Sequence, residues 1–511
     1  MENKGIYTEQ ENDTTYDHVI KYTGLFGGVQ GITMLMGIVR NKIAAMLLGP
    51  SGIALVSIYN KVMSLVNQST NFGISFSAVR HVAELFDMGD EKTVVDFVNT
   101  VRTWSLLTAV LGMLVCCVLS PWISLWTFKN YDYTLTFCLL SPVAATMALT
   151  GGEIAILKGM KQLKKVATIS VFAAFATLLI CSPVYFFLGI RGIVFSLVAG
   201  NIAVLCVHLW FSTKVVSWST SVRSMSNVMK GVPMIKLGVA YIIAGLFGQG
   251  ADYIINTSIF RIGELADVGL YNTGYIMAVS YASLVFVAIE ADYFPRLSAA
   301  ERDTDRMNHT VNQQMEVCVL LIAPCLIFFV IAMPLIISVL YSADFMAAVP
   351  MAVSASFFMF FKALTLPVAY LPLAKGDSKM YMFTELIYDV FIAIVIPVAF
   401  RMYGLVGAGW ALSLGGFIDF VIIHVFYRLK YKFKFDFSPV RFYVIQFLLF
   451  SAAVYAALQL GTVLKWLVGM IMLSASLFFS LRVLRRETTL MKDLKKKLGD
   501  RLSFIRKGRR E

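Results

Sequence analysis

Ten ionisable side chains stand inside long apolar runs, where few natural chains place a charge: Arg40, Lys42, Lys61, Glu153, Asp252, Lys362, Glu385, Asp389, Asp419 and His424. Burying such a charge in hydrocarbon costs at least about 2.5 kcal/mol, so each must face protein or water. Lys42 sits near the end of its run and can snorkel outward. Arg40, Lys61 and Lys362 have the chemistry of an anion-binding cavity, to which both halves of the chain would contribute. The competing reading is pairing, Lys61 with Asp252 for example, which would only lock helices together. Asp252, Asp389 and Asp419 fit two roles equally: coupling to a proton or sodium ion, or ion-pairing with those cations. His208 and His424 read as structural, because a lone His on an amphipathic helix normally is.

No catalytic group, metal site or cofactor is expected. All seven cysteines (Cys116, Cys117, Cys138, Cys181, Cys206, Cys318 and Cys325) lie in apolar runs without CxxC spacing or a neighbouring His, so they read as small buried hydrophobes. The glycines Gly24, Gly27, Gly28 and Gly31 suggest close helix packing, since no strand–turn–helix context for a phosphate loop surrounds them.

The elements that must hold these residues follow from composition. Of 511 residues, 58% are apolar and only 15% charged, against roughly 25% in an ordinary globular protein. A soluble fold could not hide that much apolar surface. Lipid is therefore the solvent, which excludes a cytosolic enzyme, a soluble binding module and a disordered scaffold. The formal charge is +13, from 44 Lys and Arg against 31 Asp and Glu. Twelve basic and four acidic residues between Arg482 and Glu511 supply +8 of it. That tail follows an apolar segment directly, so anionic membrane lipids rather than nucleic acid are its expected partner. The first 18 residues are polar and acidic, without the basic-then-apolar layout of a cleaved signal, and read as a cytoplasmic arm.

A spanning helix needs about 20 mostly apolar residues. Fourteen such stretches fall near 22–47, 52–78, 100–126, 133–157, 166–188, 191–213, 235–258, 266–292, 314–340, 345–373, 380–400, 404–427, 442–460 and 463–483. With the amino terminus inside, the inner connections carry twenty Lys and Arg before the termini are counted; the outer ones carry five, Lys129, Arg191, Arg261, Arg401 and Lys465. This asymmetry puts both termini in the cytoplasm. At 1.5 Å per residue, Lys61, Asp252, Lys362, Asp389 and Asp419 come nearest mid-membrane, with Arg40 in the outer half. The outer connections are too short for a catalytic domain, so the chain is not expected to be an enzyme.

An internal repeat runs through these spans. Gly189-Ile-Arg-Gly-Ile-Val-Phe-Ser-Leu197 matches Gly404-Leu-Val-Gly-Ala-Gly-Trp-Ala-Leu412 at an offset of 215. Leu157-Lys158-Gly159 matches Ala374-Lys375-Gly376 at 217, and Gly49 with Ala54-Leu55 matches Gly263 with Gly269-Leu270 at 214 and 215. The offset spans six helices, so the copies have like orientation. The expected fold is an all-α integral membrane protein of about 14 transmembrane helices: two six-helix bundles in parallel repeat around a central cavity, plus a C-terminal hairpin. The expected boundaries are 1–18 for the arm, 19–213 for the N-terminal bundle and 214–234 for a cytoplasmic linker. They continue with 235–427 for the C-terminal bundle, 428–484 for the extra hairpin and 485–511 for the basic tail. In-span prolines such as Pro142, Pro183, Pro324, Pro334, Pro367, Pro372 and Pro397 are candidate hinges.

The run Lys42-Ile-Ala-Ala-Met-Leu-Leu-Gly-Pro-Ser-Gly52, then Phe72-Gly73-Ile74 and Arg80-His-Val-Ala83, resembles the opening of Wzx-type O-antigen translocases. Leu157-Lys158-Gly159, Asp292-Tyr-Phe-Pro-Arg-Leu297 and Ala374-Lys375-Gly376 extend the resemblance over roughly residues 20–430. These translocases belong to the multidrug/oligosaccharidyl-lipid/polysaccharide exporter superfamily. The resemblance implies a flippase that carries an undecaprenyl-pyrophosphate-linked oligosaccharide, an O-antigen or similar repeat unit, to the outer leaflet of a bacterial inner membrane. It also implies a basic cavity for the pyrophosphate, which Arg40, Lys61 and Lys362 fit by location, and, as further partners, a polysaccharide polymerase and a chain-length regulator. Many members stop after twelve helices, so the extra hairpin and basic tail depart from the pattern. The alternatives are a multidrug or small-cation exporter of the same superfamily and a membrane enzyme acting on polyprenyl sugars.

Overall fold

A computed structural model describes residues 6–220, 229, 231–300, 302–437 and 439–487. Residues 1–5 of the expected arm, 221–228 and 230 of the linker and 488–511 of the basic tail lie outside the described residues. Every regular element among the described residues is helical. Lipid offers no hydrogen-bond partner, so the backbone must satisfy itself within each segment.

Nine helices among the described residues are long and apolar enough to cross a membrane. Three of these runs are too long for one crossing: Gly31–Thr70 has 40 residues, Leu163–Ser212 has 50 and Ser378–Tyr431 has 54. Each breaks at a glycine with positive φ, namely Gly49 (φ 64°), Gly189 (φ 54°) and Gly404 (φ 62°). Counting each of the three as two gives twelve crossings. Val232–Ile262, and Leu265–Tyr275 continued by Leu284–Ala299, bring the number to fourteen.

The chain forms two compact units, Met1–Gly269 with Leu340–Asp344, and Leu270–Val339 with Phe345–Glu511. In the first, α1 (Ile6–Thr70) folds into two arms at Gly49-Pro50. The sequence suggests an unbroken span over 52–78, but the helix stops at Thr70 and a separate α2 (Ile74–Asp87) follows. The cause is a close backbone approach. Phe72 and Gly73 adopt positive φ (48° and 66°), and a Cβ on Gly73 would lie 2.4 Å from the carbonyl oxygen of Gly238. The strong amphipathicity of α2 buries Ile74, Ala78 and Val82 against Val98 and Val101 of α3 (Glu91–Phe128) and Ile156 of α4 (Thr134–Gly159). Helices α5 (Leu163–Leu188) and α6 (Ile193–Ser212) form the next hairpin, and α7 (Val232–Ile262) also packs in this unit.

The second unit contains α8 (Thr304–Leu340), α9 (Phe357–Ala369), α10 (Ser378–Tyr431), α11 (Val440–Gln459) and α12 (Thr462–Glu487). Glycines let α10 come close: a Cβ on Gly416 would sit 2.9 Å from the Phe358 ring. The extra hairpin is fastened here. Phe450 of α11 packs on Phe357 and Phe360, at centroid distances of 4.7 and 6.0 Å. Gln446 donates to Ser480 and accepts from Ser476 of α12, at 2.7 and 2.6 Å. The chain leading into the hairpin is held like a strand, because Asn308 and Asn312 bond the backbone of Lys432, Lys434 and Asp436.

The repeat is visible in backbone dihedrals. Gly189 and Gly404, 215 residues apart, share nearly one conformation, ψ being −136° and −149°. Lys161 and Gly376, also 215 apart, both carry positive φ (57° and 67°) where α4 and the helix before α10 end. Gly376 thus shares its backbone conformation with Lys161, two residues beyond the Gly159 that sequence comparison aligns with it.

Candidate functional site

Lys61, on the second arm of α1, lies 3.6 Å from Asp252 of α7, with 21% and 46% of the side chains exposed. Lys362 of α9 lies 3.9 Å from Asp419 of α10, with 29% and 8% exposed. Each unit therefore holds a Lys–Asp pair contributed by two helices. At about 4 Å and an effective dielectric constant near 20, opposite charges attract by about 4 kcal/mol. That suffices to hold a pair together, yet both contacts are loose and three of the four side chains are partly open. Glu385 is an electrostatic neighbour of Asp419, and Tyr388 stands among Asp389, Asp419, Tyr271 and Tyr275. The second unit thus sets a second carboxylate, Glu385, near the Asp419 that pairs with its lysine.

Arg40 differs. It is exposed at a cavity of about 320 Å³ within the first unit, between the arms of α1 and the helices α5 and α6. Asn41, Asn60 and Asn201 share the lining. Among the described residues no carboxylate comes within ion-pair distance of Arg40. Of the three sequence-predicted cations, two are paired and one is not.

Sequence reasoning missed Arg102. It donates through Nε and Nη2 to the two oxygens of Glu153, at 2.9 and 3.2 Å, and through both Nη atoms to the Ser217 and Val216 carbonyls, at 2.7 and 3.1 Å. The Trp218 ring covers it, 4.9 Å away. Glu153 is therefore a structural counter-ion that pins the start of the inter-bundle connection. The available signal was an Arg inside a predicted span with no acid three or four residues away on its own helix.

The histidines are packed. His208 and His424 each bond through Nδ1 to the carbonyl four residues back, Val204 and Phe420, at 2.8 Å. His424 also lies among Phe420, Phe433 and Phe435. Lys42 donates to the Tyr341 carbonyl. The thiols of Cys117 and Cys138 are 3.1 Å apart, while Cys116, Cys181 and Cys318 are buried. The glycines that carry the sequence resemblance serve packing and turns. Gly159, for example, leaves no room for a Cβ, which would lie 2.6 Å from Val82.

The sequence profile of a family described as polysaccharide biosynthesis protein matches residues 43–350, more than half of the chain. The chain belongs to that family. No curated protein matches it in sequence. Among solved structures, the lipid II flippase MurJ, in an inward closed conformation, is similar over 90% of this chain and 99% of that one, with 13% identity and a TM-score of 0.67. An inward-facing multidrug resistance MATE family transporter of the MOP superfamily covers 78% and 94%, at 12% identity and a TM-score of 0.64. A MOP superfamily transporter from Pyrococcus furiosus, described as having a binding pocket of reverse polarity, covers 80% and 93% at 11% identity and a TM-score of 0.53. The family member described here is thus a multi-pass membrane protein with the fold of MOP-superfamily transporters and flippases.

Proposed function

We propose that the protein is a flippase moving a polyprenyl-diphosphate-linked oligosaccharide, the O-antigen or a similar repeat unit, from the cytoplasmic to the outer leaflet of a bacterial inner membrane by alternating access. Arg40, Lys61 and Lys362 are its substrate-binding cations, with the lysines on the diphosphate. The observation that carries the reading is the state of the two lysines at membrane depth. Each is partly open and paired only loosely to an Asp, at 3.6 and 3.9 Å, so an incoming diphosphate can take the carboxylate's place without stripping the ammonium of its counter-charge. Asp252, Asp389 and Asp419 then serve as exchangeable counter-ions or as coupling groups. Outward movement of the diphosphate is downhill by roughly 2.3 kcal/mol per charge per 100 mV of inside-negative potential. Desolvation of phosphates and sugars is the remaining barrier, and polar walls lower it. Both termini lie in the cytoplasm, with the basic tail on anionic lipid; a polysaccharide polymerase and a chain-length regulator work on the product.

The test is flipping of a fluorescent polyprenyl-diphosphate saccharide in proteoliposomes. Lys61→Ala and Lys362→Ala should each slow it strongly at normal protein abundance, whereas wild-type rates in both would remove the cationic mechanism. A second reading, export of organic cations, draws on one observation: Asp252 is more exposed than its lysine partner, 46% against 21%. Uptake of a cationic dye into inverted vesicles, abolished by Asp252→Asn, would favour it.

A further inference from the structure

The cavity at Arg40 offers a mixture of hydrogen-bonding groups that a bare anion site would not need. Arg40, Asn41 and Asn60 line it, and among the described residues none of the three has a hydrogen-bond or salt-bridge partner in the protein. Their guanidinium and amide N–H groups are unspent donors. Acceptors lie beside them. Asn201 uses its amide N–H on the Leu197 carbonyl at 2.8 Å, which leaves its oxygen available. Thr177 gives its hydroxyl proton to the Ala173 carbonyl, at 2.8 Å, and keeps its lone pairs.

A phosphate would match the donors but meet two acceptor oxygens as well. A sugar hydroxyl donates and accepts at once, so a ring bearing several hydroxyls satisfies both sets. Size agrees: about 320 Å³ is at the low end of ligand pockets, which run from roughly 300 to 1,000 Å³. It admits a short saccharide. All the lining residues belong to one unit, so the pocket does not depend on any arrangement of the two.

We propose that this cavity is a saccharide subsite, in which Arg40, Asn41 and Asn60 donate to a sugar of the cargo and Asn201 and Thr177 accept from it. The proposal rests on the flippase reading above and divides the labour within it: the lysines meet the diphosphate, and Arg40 meets the glycan and sets which glycan is carried. Selectivity follows because a wrong sugar leaves an amide of Asn41, Asn60 or Asn201 without a partner once the ring covers it.

The experiment uses the full chain in nanodiscs. Saturation-transfer NMR reports contact with free glucose, galactose, N-acetylglucosamine and glucuronate, and phosphorus NMR reports inorganic pyrophosphate. At least one of the four sugars should receive saturation, and Asn60→Leu and Arg40→Gln should weaken its binding by about tenfold or more. Arg40→Lys, which keeps the charge but loses the planar fork, should weaken it too. Pyrophosphate binding should survive these changes and fall in Lys61→Ala and Lys362→Ala. Unchanged melting temperatures certify folding, and Asn201→Leu repeats the test should Asn60→Leu not fold. If no sugar shows an Asn60- or Asn201-dependent signal, or if pyrophosphate displaces the sugar, the subsite is refuted. If instead the sugar binds and the lysine variants keep pyrophosphate, the diphosphate assignment fails and the subsite stands.

Discussion

Arg102 and Glu153 join α3 to α4 through two parallel hydrogen bonds, with 1% and 2% of their side chains exposed. The remaining Arg102 donors reach the Val216 and Ser217 carbonyls, so a single guanidinium fixes two helices and the chain that leaves α6. Removing one partner strands the other charge. Arg102→Ala should cost about 3–5 kcal/mol of stability, read as a fall in melting temperature, with new protease cuts near 214–220. Replacing both residues with Leu should recover much of the melting temperature but not the protection, because the carbonyls stay unpartnered. Protection retained in the double variant would show that the linker is held some other way.

The Lys61–Asp252 pair separates locking from binding. In the water-filled cavity that the binding role requires, solvent screens the pair to a net worth of about 0–1 kcal/mol, so neither Lys61→Ala nor Asp252→Ala should move the melting temperature much. Exchanging the two residues keeps a lock but displaces the positive charge. Full transport by the Lys61→Asp, Asp252→Lys protein would therefore argue that the pair only joins helices.

Gly404 tests backbone conformation without steric confusion. Its φ is +62° and nothing lies within 4 Å of a would-be Cβ, so Gly404→Ala should cost about 1–3 kcal/mol from the dihedral alone. Gly461 has equal room and no positive φ. Gly461→Ala should accordingly leave the melting temperature near that of the unaltered protein, and equal losses at the two sites would refute the assignment.

Asp377, in the connection before α10, carries a pH dependence whose sign is fixed. The Lys430 ammonium hydrogen-bonded to it, then the Tyr431 hydroxyl, hold its carboxyl down to about 2. An unperturbed Asp titrates near 3.9. Its depressed value means that the stabilisation is complete above about pH 5, then fades as pH falls through 4 towards 2. Asp377→Asn should lower the melting temperature at pH 7, and the gap to the unaltered protein should narrow on acidification through that window. A constant gap would place the effect elsewhere.

The family-like motifs were legible in sequence for a physical reason, though not the one that motifs usually have. Gly49, Gly73 and Gly376 each supply a positive φ at a helix end, so they mark where the chain turns and say little about what it binds. The separate helix α2 was not legible. Its residues continue an apolar stretch, and the break at Gly73 depends on Gly238, 165 residues away. Arg102 was not legible either, because its acid lies on another helix.

The apolar count along the chain determined the solvent and the number of crossings, since a segment in hydrocarbon must be helical and long enough whatever surrounds it. Sequence also named Arg40, Lys61 and Lys362 as charges that must find company. Only tertiary structure decided what kind of company: an aspartate for each lysine, and for Arg40 a cavity of amides and hydroxyls. Helix rotation and packing make that choice, and they depend on which side chains meet across separate segments rather than on any one segment's composition.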